Sequence, residues 1–548
     1  MNIDFLIQHS PALLIATPLI GAFLTPLVGM IHDKLRNAFV IAIMLITGFF
    51  GFLISYNIFT NGSISEKGLF FTNGGAIQTY VFGGETAYYL SSNYNPYAVR
   101  ILFQIDGLSA FMILIAVILP IVAVIYSWKF MEKETGKDKF YTLILLMTTG
   151  VLGMVSTGDL FNFFVFLEIT SIATAALIAF WSDRKNSVQA AFKYIVVSSI
   201  GALIFLFAIG IFYSQYNALN MAVIAGSISM TFLDKIALVL ILAALTMKAA
   251  LAPMHMWLPD SYSGAPSNVT VIIIGTTLAS LYGALRMIFT IYGGNLTTIL
   301  RSFGDFNITP SLLIGVFLVI LAIATIIIGV FMALKSDNFK RMIAYAAVAE
   351  IGYMVLAIGS ALASVRLSTE SIVELPTYAN NALTGGVFHM INDALDVGLL
   401  FLVAGAIYYA TKETSLNKLG GLARNMKYTT IFFIIGLLAV SGLPPLNGFA
   451  SKLIIYQSTY QINPIISIVA ILCSIMLLAV FVKVFYAAFL GPKISRFDNV
   501  KEVPKSMLLA MGIIASLIII FGLFPDIVIN NIVTPAVEAL KFGFIGGI

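Results

Sequence analysis

Eight ionisable side chains lie within stretches of the chain that are otherwise strongly apolar. They are Lys193, Lys248, Lys452, Lys483, Glu168, Glu350, Asp393 and Asp396. An ionised group at the centre of a bilayer costs about 2.5–3.5 kcal/mol even on the most lenient insertion scale. Eight unpaired charges would cost on the order of 20 kcal/mol, more than the ~5–15 kcal/mol net stability of a typical protein. We therefore expect these groups to be paired, neutralised or hydrated, and to face the interior of a helix bundle.

Two of the lysines accompany prolines that interrupt a predicted helix. Lys248 lies at the start of KAALAPMHMWLPD, and Lys452 lies at the end of SGLPPLNGFASK. The predicted interruptions are at Pro253 and Pro259 in the first segment and at Pro444 and Pro445 in the second. Proline removes a backbone donor and kinks or ends a helix. Because the freed backbone groups need water or protein partners, a broken helix in each half of the chain predicts a polar cavity and an ion path.

Each of these two lysines has a predicted acidic partner, Glu168 for Lys248 and Glu350 for Lys452. A buried lysine can take up and release a proton, and a nearby glutamate favours its charged form. Charge that moves into or out of such a pair would switch the lysine between holding and passing its proton, which is the chemistry of a proton relay. The alternative is that each pair only satisfies its own charges in the interior.

The other two lysines carry a weaker signal. Lys193 lies near one end of its predicted span, and the long side chain of Lys483 can extend to the membrane surface. Both positions are compatible with the ion path and equally with a surface location.

Two histidines and two aspartates add further polar groups to the spans. His255 follows Lys248 by seven residues, which places the two on one helical face if Pro253 does not rotate them apart. His389, Asp393 and Asp396 follow an i, i+4, i+7 spacing and share a face. Their chemistry fits a proton station, an oxygen-rich Na⁺ site at the two aspartates, or an internally hydrogen-bonded patch. A transition-metal site is disfavoured because this face has a single nitrogen ligand.

The composition assigns the whole chain to the membrane. Of its 548 residues, 60% are apolar and only 10% are charged, and the mean hydropathy is +0.99. Soluble domains carry about 25% charged residues, so a soluble enzyme, a nucleic-acid binder and a disordered scaffold are excluded as descriptions of the whole chain. The single cysteine, Cys473, excludes a disulfide framework and a thiolate-bound cluster. Phosphate-binding glycine motifs are lacking, so we expect no cofactor in this chain.

Fourteen segments are apolar enough to span a bilayer, and the predicted fold is therefore all-α and polytopic. They lie near 11–31, 37–59, 106–131, 141–157, 160–181, 188–214, 234–258, 267–292, 311–334, 340–363, 383–410, 428–460, 464–490 and 506–530. The Glu and Lys positions recur after five spans, an odd offset that predicts two inverted five-helix repeats, spans 4–8 and 9–13. We expect N-terminal spans in 1–140, repeats in 141–292 and 311–490, and a last span with a tail in 491–548. The polar stretch at about 60–100 is predicted to be an ordered outside loop.

The distribution of lysine and arginine predicts the orientation. With fourteen spans and both termini outside, nineteen of the thirty cations fall in inside loops, seven fall outside and four lie within spans. The inside set includes Lys340, and the outside set includes Arg286. The net charge of +5 is therefore a topology signal of a cell-membrane protein and not a nucleic-acid patch.

The quoted segments resemble a known family. The similarity is carried by 159–169 (DLFNFFVFLEI), 190–196 (AAFKYIV), 247–266 (MKAALAPMHMWLPDSYSGAP), 337–354 (DNFKRMIAYAAVAEIGYM) and 441–452 (SGLPPLNGFASK). They are similar to the antiporter-like membrane subunits shared by Mrp-type cation/proton antiporters (D-subunit type), energy-converting membrane hydrogenases and relatives, and respiratory complex I. The resemblance implies fourteen spans, inverted repeats and ion translocation coupled to partner subunits. It also implies that Glu168 and Lys248 form the first-half pair, and that Lys193 and Lys452 are the lysines of spans 6 and 12.

The chain departs from the family pattern at three positions in the middle of the predicted path. Leu278 stands where the family usually has a lysine or histidine, and Val397 stands where many members have a basic residue. Glu350 stands where a histidine or glutamine is common. The middle of the path has therefore lost basic residues and gained acids.

The leading hypothesis is an ion-translocating subunit of a multisubunit membrane complex that moves H⁺ alone or in exchange for Na⁺. The alternatives are a non-conducting structural paralogue in a redox-linked complex and a stand-alone secondary transporter. No arginine is assigned to the interior of a span, which disfavours a transporter of organic solutes. The expected partners are other membrane subunits, the lipid bilayer, H⁺ and Na⁺, with no nucleic acid. The parent complex and the direction of transport stay open.

Overall fold

The computed structural model describes residues 3–60, 69–72, 75–81, 101–303, 306–367, 373–492 and 494–542. Most of this part of the chain is helical. The N-terminal region consists of α1 (Ile3–Ile31), α2 (Asp33–Thr60) and α3 (Gly107–Phe130), with a three-stranded antiparallel sheet, β1 (Leu69–Thr72), β2 (Gly75–Val81) and β3 (Leu102–Ile105). Strands β1 and β2 belong to the predicted outside loop, and much of the rest of that loop lies outside the described residues.

The first five-helix unit follows α3. It contains α4 (Lys137–Ser156), α5 (Leu160–Ile178), α6 (Lys185–Tyr216), the short α7 (Met221–Ser227), α8 (Phe232–Lys248), α9 (Trp257–Gly264) and α10 (Ser267–Leu285), which continues as a π-helix at Arg286–Ile291. A hairpin of β4 (Arg301–Phe303) and β5 (Phe306–Ile308) leads to the second unit.

The second unit has a similar order of elements. It contains α11 (Pro310–Lys335), α12 (Phe339–Ala363), strands β6 (Arg366–Leu367) and β7 (Val373–Glu374), α13 (Thr377–Thr411), α14 (Lys427–Val440), α15 (Asn447–Ile462) and α16 (Pro464–Val484), which continues as a π-helix at Phe485–Leu490. The chain then forms α17 (Lys505–Leu523), α18 (Pro525–Val528) and α19 (Thr534–Phe542).

Twelve helices in the described ranges are long and apolar enough to cross a membrane. Each coincides with one of the predicted spans. The remaining two predicted spans, the seventh and the twelfth, are each divided into two shorter helices, α8 with α9 and α14 with α15. The most apolar windows of α10, α12 and α13 are fully buried, so these three helices form the centre of the bundle. The interrupted helices are therefore those that carry Lys248 and Lys452.

The two units repeat the same backbone junction where α5 and α12 begin. In the first, the Leu160 N–H donates to Leu219 O at 2.9 Å, and the Met221 N–H donates to Gly158 O at 2.9 Å. In the second, matching 2.9 Å bonds join Phe339 N to Thr414 O and Leu416 N to Asp337 O. The side chains of Asp159 and Asn338 cap the two helices, as polar N-cap residues commonly do. The start of each helix is therefore anchored in the same way.

Helices α6 and α13 also end alike. Each is terminated by a residue in the left-handed region, Asn217 (φ 49) and Lys412 (φ 57), whose N–H donates back into the last turn. These fixed ends give two reference points from which positions in the first and second units can be compared.

Candidate functional site

The first helix break starts directly after Lys248, the last residue of α8. Ala250 adopts a left-handed conformation (φ 59), the Ala252–Pro253 bond is cis, and a short 3₁₀ turn leads into α9 at Trp257. The freed backbone groups find protein partners. The indole N–H of Trp257 donates to Met247 O at 3.0 Å, and the N–H of Ala252 donates to Thr325 Oγ1 at 3.0 Å. The break is thereby satisfied within the protein.

The second break has the same form. Helix α14 ends at Val440, Gly442 is left-handed (φ 69), the Pro444–Pro445 bond is cis, and α15 begins at Asn447. Here the Val440 carbonyl accepts a hydrogen bond of 2.7 Å from the ammonium group of Lys452. In the second break, the lysine side chain therefore satisfies a freed backbone carbonyl group, as the indole N–H of Trp257 does in the first.

The two lysines lie on opposite sides of their breaks. Counted from the left-handed residues Ala250 and Gly442, Lys248 occupies the position of Val440, and Asp260 occupies the position of Lys452. The two halves thus carry matched breaks, but the lysines are not at matched positions.

One prediction about the first break is wrong, and the condition on which His255 would share a face with Lys248 is not met. Pro259 does not interrupt a helix, because it lies in the first turn of α9, where proline is tolerated. His255 does not continue the helical face of Lys248, because the chain leaves the helix at Ala250. His255 is buried in the 3₁₀ turn, and its Nδ1 has no hydrogen-bond partner.

The ammonium group of Lys248 is held by neutral hydroxyl groups. It donates to Ser171 Oγ on α5 at 2.8 Å and to Ser198 Oγ on α6 at 3.1 Å, and the lysine is only 6% exposed. A cavity of about 20 Å³ adjoins it, lined by further polar groups that include Tyr194 and Thr276. That volume is enough for a water molecule. Sequence reasoning missed the two serines because isolated serines in apolar helices are common.

Glu168 and Lys248 do not form a direct ion pair, although the charge of the Glu168 carboxylate still acts on the Lys248 ammonium group at longer range. Glu168 does not lie within 4.0 Å of any cation in the described chain; it is partly exposed, and its buried Oε1 lacks a hydrogen-bond partner. The helix explains the difference, because Ser171 lies one turn further along α5 and meets the end of α8 instead.

Lys452 belongs to a charged network. Its ammonium group donates to Glu350 Oε1 at 2.8 Å, and the other carboxylate oxygen lies 2.8 Å from His389 Nε2. His389 Nδ1 lies 3.0 Å from Ser451 Oγ, and the ring of Tyr353 lies 4.7 Å from the lysine nitrogen. The side chains of Lys452, Glu350 and His389 are at most 2% exposed. The contact predicted between Glu350 and Lys452 is therefore present, and His389 joins it.

The hydroxyls around Lys248 and the acids of the second unit occupy matched positions. Ser171 and Glu350 lie equally far from the starts of α5 and α12. Ser198 and Asp393 lie equally far from the left-handed ends of α6 and α13. The same two positions thus carry neutral hydroxyl groups in the first unit and carboxyl groups in the second.

The two aspartates of α13 are buried and incompletely bonded. Asp393 is 3% exposed and Asp396 is 1% exposed, and an Oδ1 atom of each has no hydrogen-bond partner. Beside them, Asn447 Nδ2 donates to Asn392 Oδ1 at 3.1 Å, which leaves Asn447 Oδ1 unpaired. Throughout the residues that the structure describes, His, Cys, Asp and Glu side chains do not gather in groups of three or more that could hold a metal. Any cation held here would need neutral oxygens as well.

The other two predicted intramembrane lysines lie at the surface. Lys193 is 60% exposed and pairs with Asp260 at 2.6 Å, and Lys483 is 42% exposed and lies 3.4 Å from Asp337. The expectation that all eight ionisable groups face the interior is therefore wrong for these two. Their long aliphatic chains let the ammonium groups reach the polar boundary.

Arg286, which the sequence analysis assigned to the outside, is buried in a span. Its guanidinium pairs with Asp106 and also donates to Ser109 Oγ and Tyr282 Oη at 3.0 Å each. Burial acts to raise the pKa of Asp106, but the Arg286 guanidinium brings that pKa below its usual value. The expectation of no arginine inside a span is therefore wrong, although this arginine already has a carboxylate partner from this chain.

Two of the three positions that depart from the family pattern carry buried apolar side chains. Leu278 on α10 is 1% exposed, and Val397 on α13 is fully buried. Neither offers a group that exchanges a proton.

Comparison with known proteins agrees with this architecture. Residues 157–478 match the family described as "NADH:quinone oxidoreductase/Mrp antiporter, TM", and residues 92–141 match "NADH-Ubiquinone oxidoreductase (complex I), chain 5 N-terminus". The chain is 31% identical to the N subunit of the NADH-quinone oxidoreductase of Desulforudis audaxviator over 87% of this chain and 92% of the relative. It is 29% identical to the D subunit of the Na(+)/H(+) antiporter of Alkalihalophilus pseudofirmus, over 76% and 79%. A chain of the Mrp complex from Dietzia has the same fold, with a TM-score of 0.78 at 21% identity over 99% of this chain and 100% of that one.

The charged network gives a stability prediction. Glu350→Gln leaves the Lys452 ammonium buried without its anion, and we expect a loss of about 3–5 kcal/mol in the free energy of unfolding. Glu350→Gln combined with Lys452→Met should recover most of that loss, because no buried charge is then left unpaired. Thermal unfolding of the purified protein in mild detergent would measure both effects.

Lys483→Gln is the matched control, because it breaks an exposed ion pair, which is worth about 0–1 kcal/mol. Equal destabilisation by Glu350→Gln and Lys483→Gln would contradict the assignment of Glu350 as the essential counter-ion.

Proposed function

Because this chain belongs to the NADH:quinone oxidoreductase/Mrp antiporter transmembrane family, we propose that it translocates protons by means of the two lysines at its broken helices. It is a multi-pass membrane protein of the antiporter-like type, and subunits of this type work beside other membrane subunits. The observation that carries the proposal is the position of Lys248 and Lys452. Each is a buried ammonium group at an interrupted helix, within hydrogen-bond distance of groups that can exchange or stabilise a proton.

Lys248 is the lysine that changes its protonation state in this proposal. Removing an ammonium group from water is costly, and hydroxyl groups compensate that cost less than a carboxylate does. Lys248 is hydrogen-bonded to two serine hydroxyls, and the Glu168 charge acts on it only from beyond 4.0 Å. Its neutral amine and its ammonium form are therefore closer in free energy than they would be in direct contact with an anion. Water in the adjoining cavity would deliver and remove the proton.

In this proposal Lys452 stays charged, and its response to proton movement depends on its carboxylate partner, Glu350. Its 2.8 Å contact with Glu350 stabilises the ammonium form, and His389 on the other carboxylate oxygen can accept or donate a proton. A proton that arrives at His389 would weaken the hold of Glu350 on Lys452. The interaction between Glu350 and Lys452 in the second unit would in this way change when a proton moves through the first unit. Such a change is what coupling between the two sites requires.

Asp393 and Asp396 are assigned the role of a central proton store. A buried carboxyl group without a cationic partner must hold a proton or a bound cation, since an isolated carboxylate in the interior is too costly. Protonated acids and the space lined by hydroxyl groups would then carry the proton where Leu278 and Val397 offer no basic side chain.

A second candidate function is Na⁺/H⁺ exchange at the same aspartates. It is favoured by the unpaired oxygens of Asp393, Asp396 and Asn447, because Na⁺ prefers carboxylate and carbonyl oxygens. It is also favoured by the likeness to an antiporter subunit named for Na⁺ and H⁺. The buried apolar side chains of Leu278 and Val397 instead favour a non-conducting structural subunit. The transport experiments below test this alternative, because substitutions in a non-conducting subunit would leave the ion flux unchanged.

The proposed setting is the cell membrane, with both termini outside and the lysine-rich loops inside. The ion pairs of Lys193 and Lys483 would then lie on the inside, and the β6–β7 hairpin on the outside. No cofactor is assigned to this chain.

Transport by the Lys248 variant tests the relay. In proteoliposomes that contain the whole assembly, Lys248→Ala should lower proton flux at least tenfold, because the group that exchanges the proton is lost. The matched control is Lys235→Ala, which removes an exposed lysine from the same helix and should leave the flux within twofold of the native rate. Native flux in Lys248→Ala would refute the relay.

Sodium dependence separates the proton store from the cation site. If the aspartates only store protons, Asp393→Asn and Asp396→Asn should slow proton flux several-fold while the response of transport to Na⁺ concentration is unchanged. If they bind Na⁺, the Na⁺ concentration for half-maximal transport should rise at least tenfold in both variants. Measurement of ²²Na⁺ uptake beside proton flux decides between the two functions.

A further inference from the structure

A cavity of about 710 Å³ opens between the two five-helix units, at the membrane face predicted to be inside. Its lining includes five basic side chains and one acidic side chain, those of Arg184, Lys185, Lys193, Lys340, Arg341 and Asp260. We call this cavity the basic vestibule. The relay proposed above uses none of these side chains.

The single acid of the basic vestibule is already engaged. Asp260 Oδ2 lies 2.6 Å from Lys193 Nζ, and its Oδ1 lies 3.2 Å from a guanidinium nitrogen of Arg341. One carboxylate therefore serves two cations. The other basic side chains of the cavity have no carboxylate partner among its lining residues, and charges of one sign gathered in a concave site produce a strong field that attracts anions.

Two of the cations are held in place before any ligand arrives. The Arg184 guanidinium stacks on Trp181 at 3.8 Å from the ring centroid and donates to Tyr408 Oη at 2.6 Å. Lys340 is only 5% exposed, and its ammonium group donates to the carbonyl oxygen of Ala265. Its amine is a hydrogen-bond donor fixed beside a large polar cavity, and an oxyanion bound there would stabilise its charged form.

Helix starts add to the positive field. Residues at the N-termini of α6, α10 and α12 line the cavity, and the N-cap residues of α6 and α10, Arg184 and Pro266, offer no side-chain acceptor to the free N–H groups. The positive ends of these helix dipoles point to the same space as the five cations.

One side of the basic vestibule adjoins an exposed apolar face of α6. Lys193 reaches it from an exposed position on α6. Val188, Phe192, Val196 and Ile200 follow one outward face of the same helix and are 43%, 68%, 40% and 50% exposed. A ligand with an anionic head and apolar chains would match both surfaces.

We propose that the basic vestibule binds the phosphate group of an anionic phospholipid, whose acyl chains lie along the exposed face of α6. Basic pockets between transmembrane helices on the inner leaflet are suited to such headgroups. The bound lipid would offset part of this positive charge and join the two units at their inner ends.

Calorimetric titration of the detergent-purified assembly with short-chain phosphatidylglycerol tests the proposal, with short-chain phosphatidylcholine and inorganic phosphate as separate arms. Lys185→Gln combined with Arg341→Gln should weaken the binding of phosphatidylglycerol by about tenfold or more. Arg424→Gln combined with Lys427→Gln removes two exposed cations of the same membrane face outside the cavity and should change it by less than twofold. Lys185→Glu, a single change at an exposed position, should weaken binding at least fivefold and serves if the double variant does not fold.

Equal binding of phosphatidylglycerol by the vestibule variants and the control would overturn the site. Equal binding of phosphatidylcholine and phosphatidylglycerol by the native protein would overturn the role of negative charge. Binding of inorganic phosphate as tight as that of phosphatidylglycerol would overturn the lipid assignment and leave a site for soluble phosphate.

Discussion

The cost of burying an ammonium group in the middle of a membrane protein is the constraint on which the rest of this structure depends. Lys248 and Lys452 meet it in different ways, the first with serine hydroxyls and the second with a carboxylate and a freed carbonyl oxygen. Both solutions require a helix that stops in mid-membrane, because an unbroken helix would neither expose the Val440 carbonyl nor leave room beside Lys248. The proline-rich breaks are therefore part of the solvation of the two charges.

The two units differ in the surroundings of their lysines because matched positions carry different side chains. Ser171 and Ser198 stand in the first unit where Glu350 and Asp393 stand in the second. Hydroxyls leave the lysine free to change its charge, whereas a carboxylate at 2.8 Å holds it in the charged form. In the proposed function, this repeated backbone architecture would supply one site for exchanging a proton and one for sensing that exchange. The basic vestibule lies where the two units meet and is a separate electrostatic feature of the inner face.

Much of the fold could be predicted because a bilayer makes hydropathy decisive: twelve predicted spans are continuous helices, and the two predicted breaks are present. The contact between Glu350 and Lys452 could also be predicted, because charged side chains are rare within apolar spans and a buried acid and a buried lysine stabilise each other. The partners of Lys248 could not, because serine is ordinary in apolar helices and a turn of α5 decides whether Glu168 or Ser171 meets the lysine. The burial of Arg286 could not be predicted for a related reason, since it depends on a carboxylate, Asp106, that is distant in the sequence.

Whether the serine hydroxyls that hold Lys248 permit proton exchange is tested most directly by proton flux through assemblies with Ser171→Asp and Ser171→Asn. The two side chains have the same shape and differ in charge, and the aspartate gives Lys248 the kind of partner that Lys452 already has. The account predicts that Ser171→Asn keeps proton flux within about threefold of the native rate and that Ser171→Asp lowers it at least tenfold, since one unit of pKa corresponds to about 1.4 kcal/mol. Equal flux in the two variants would contradict it.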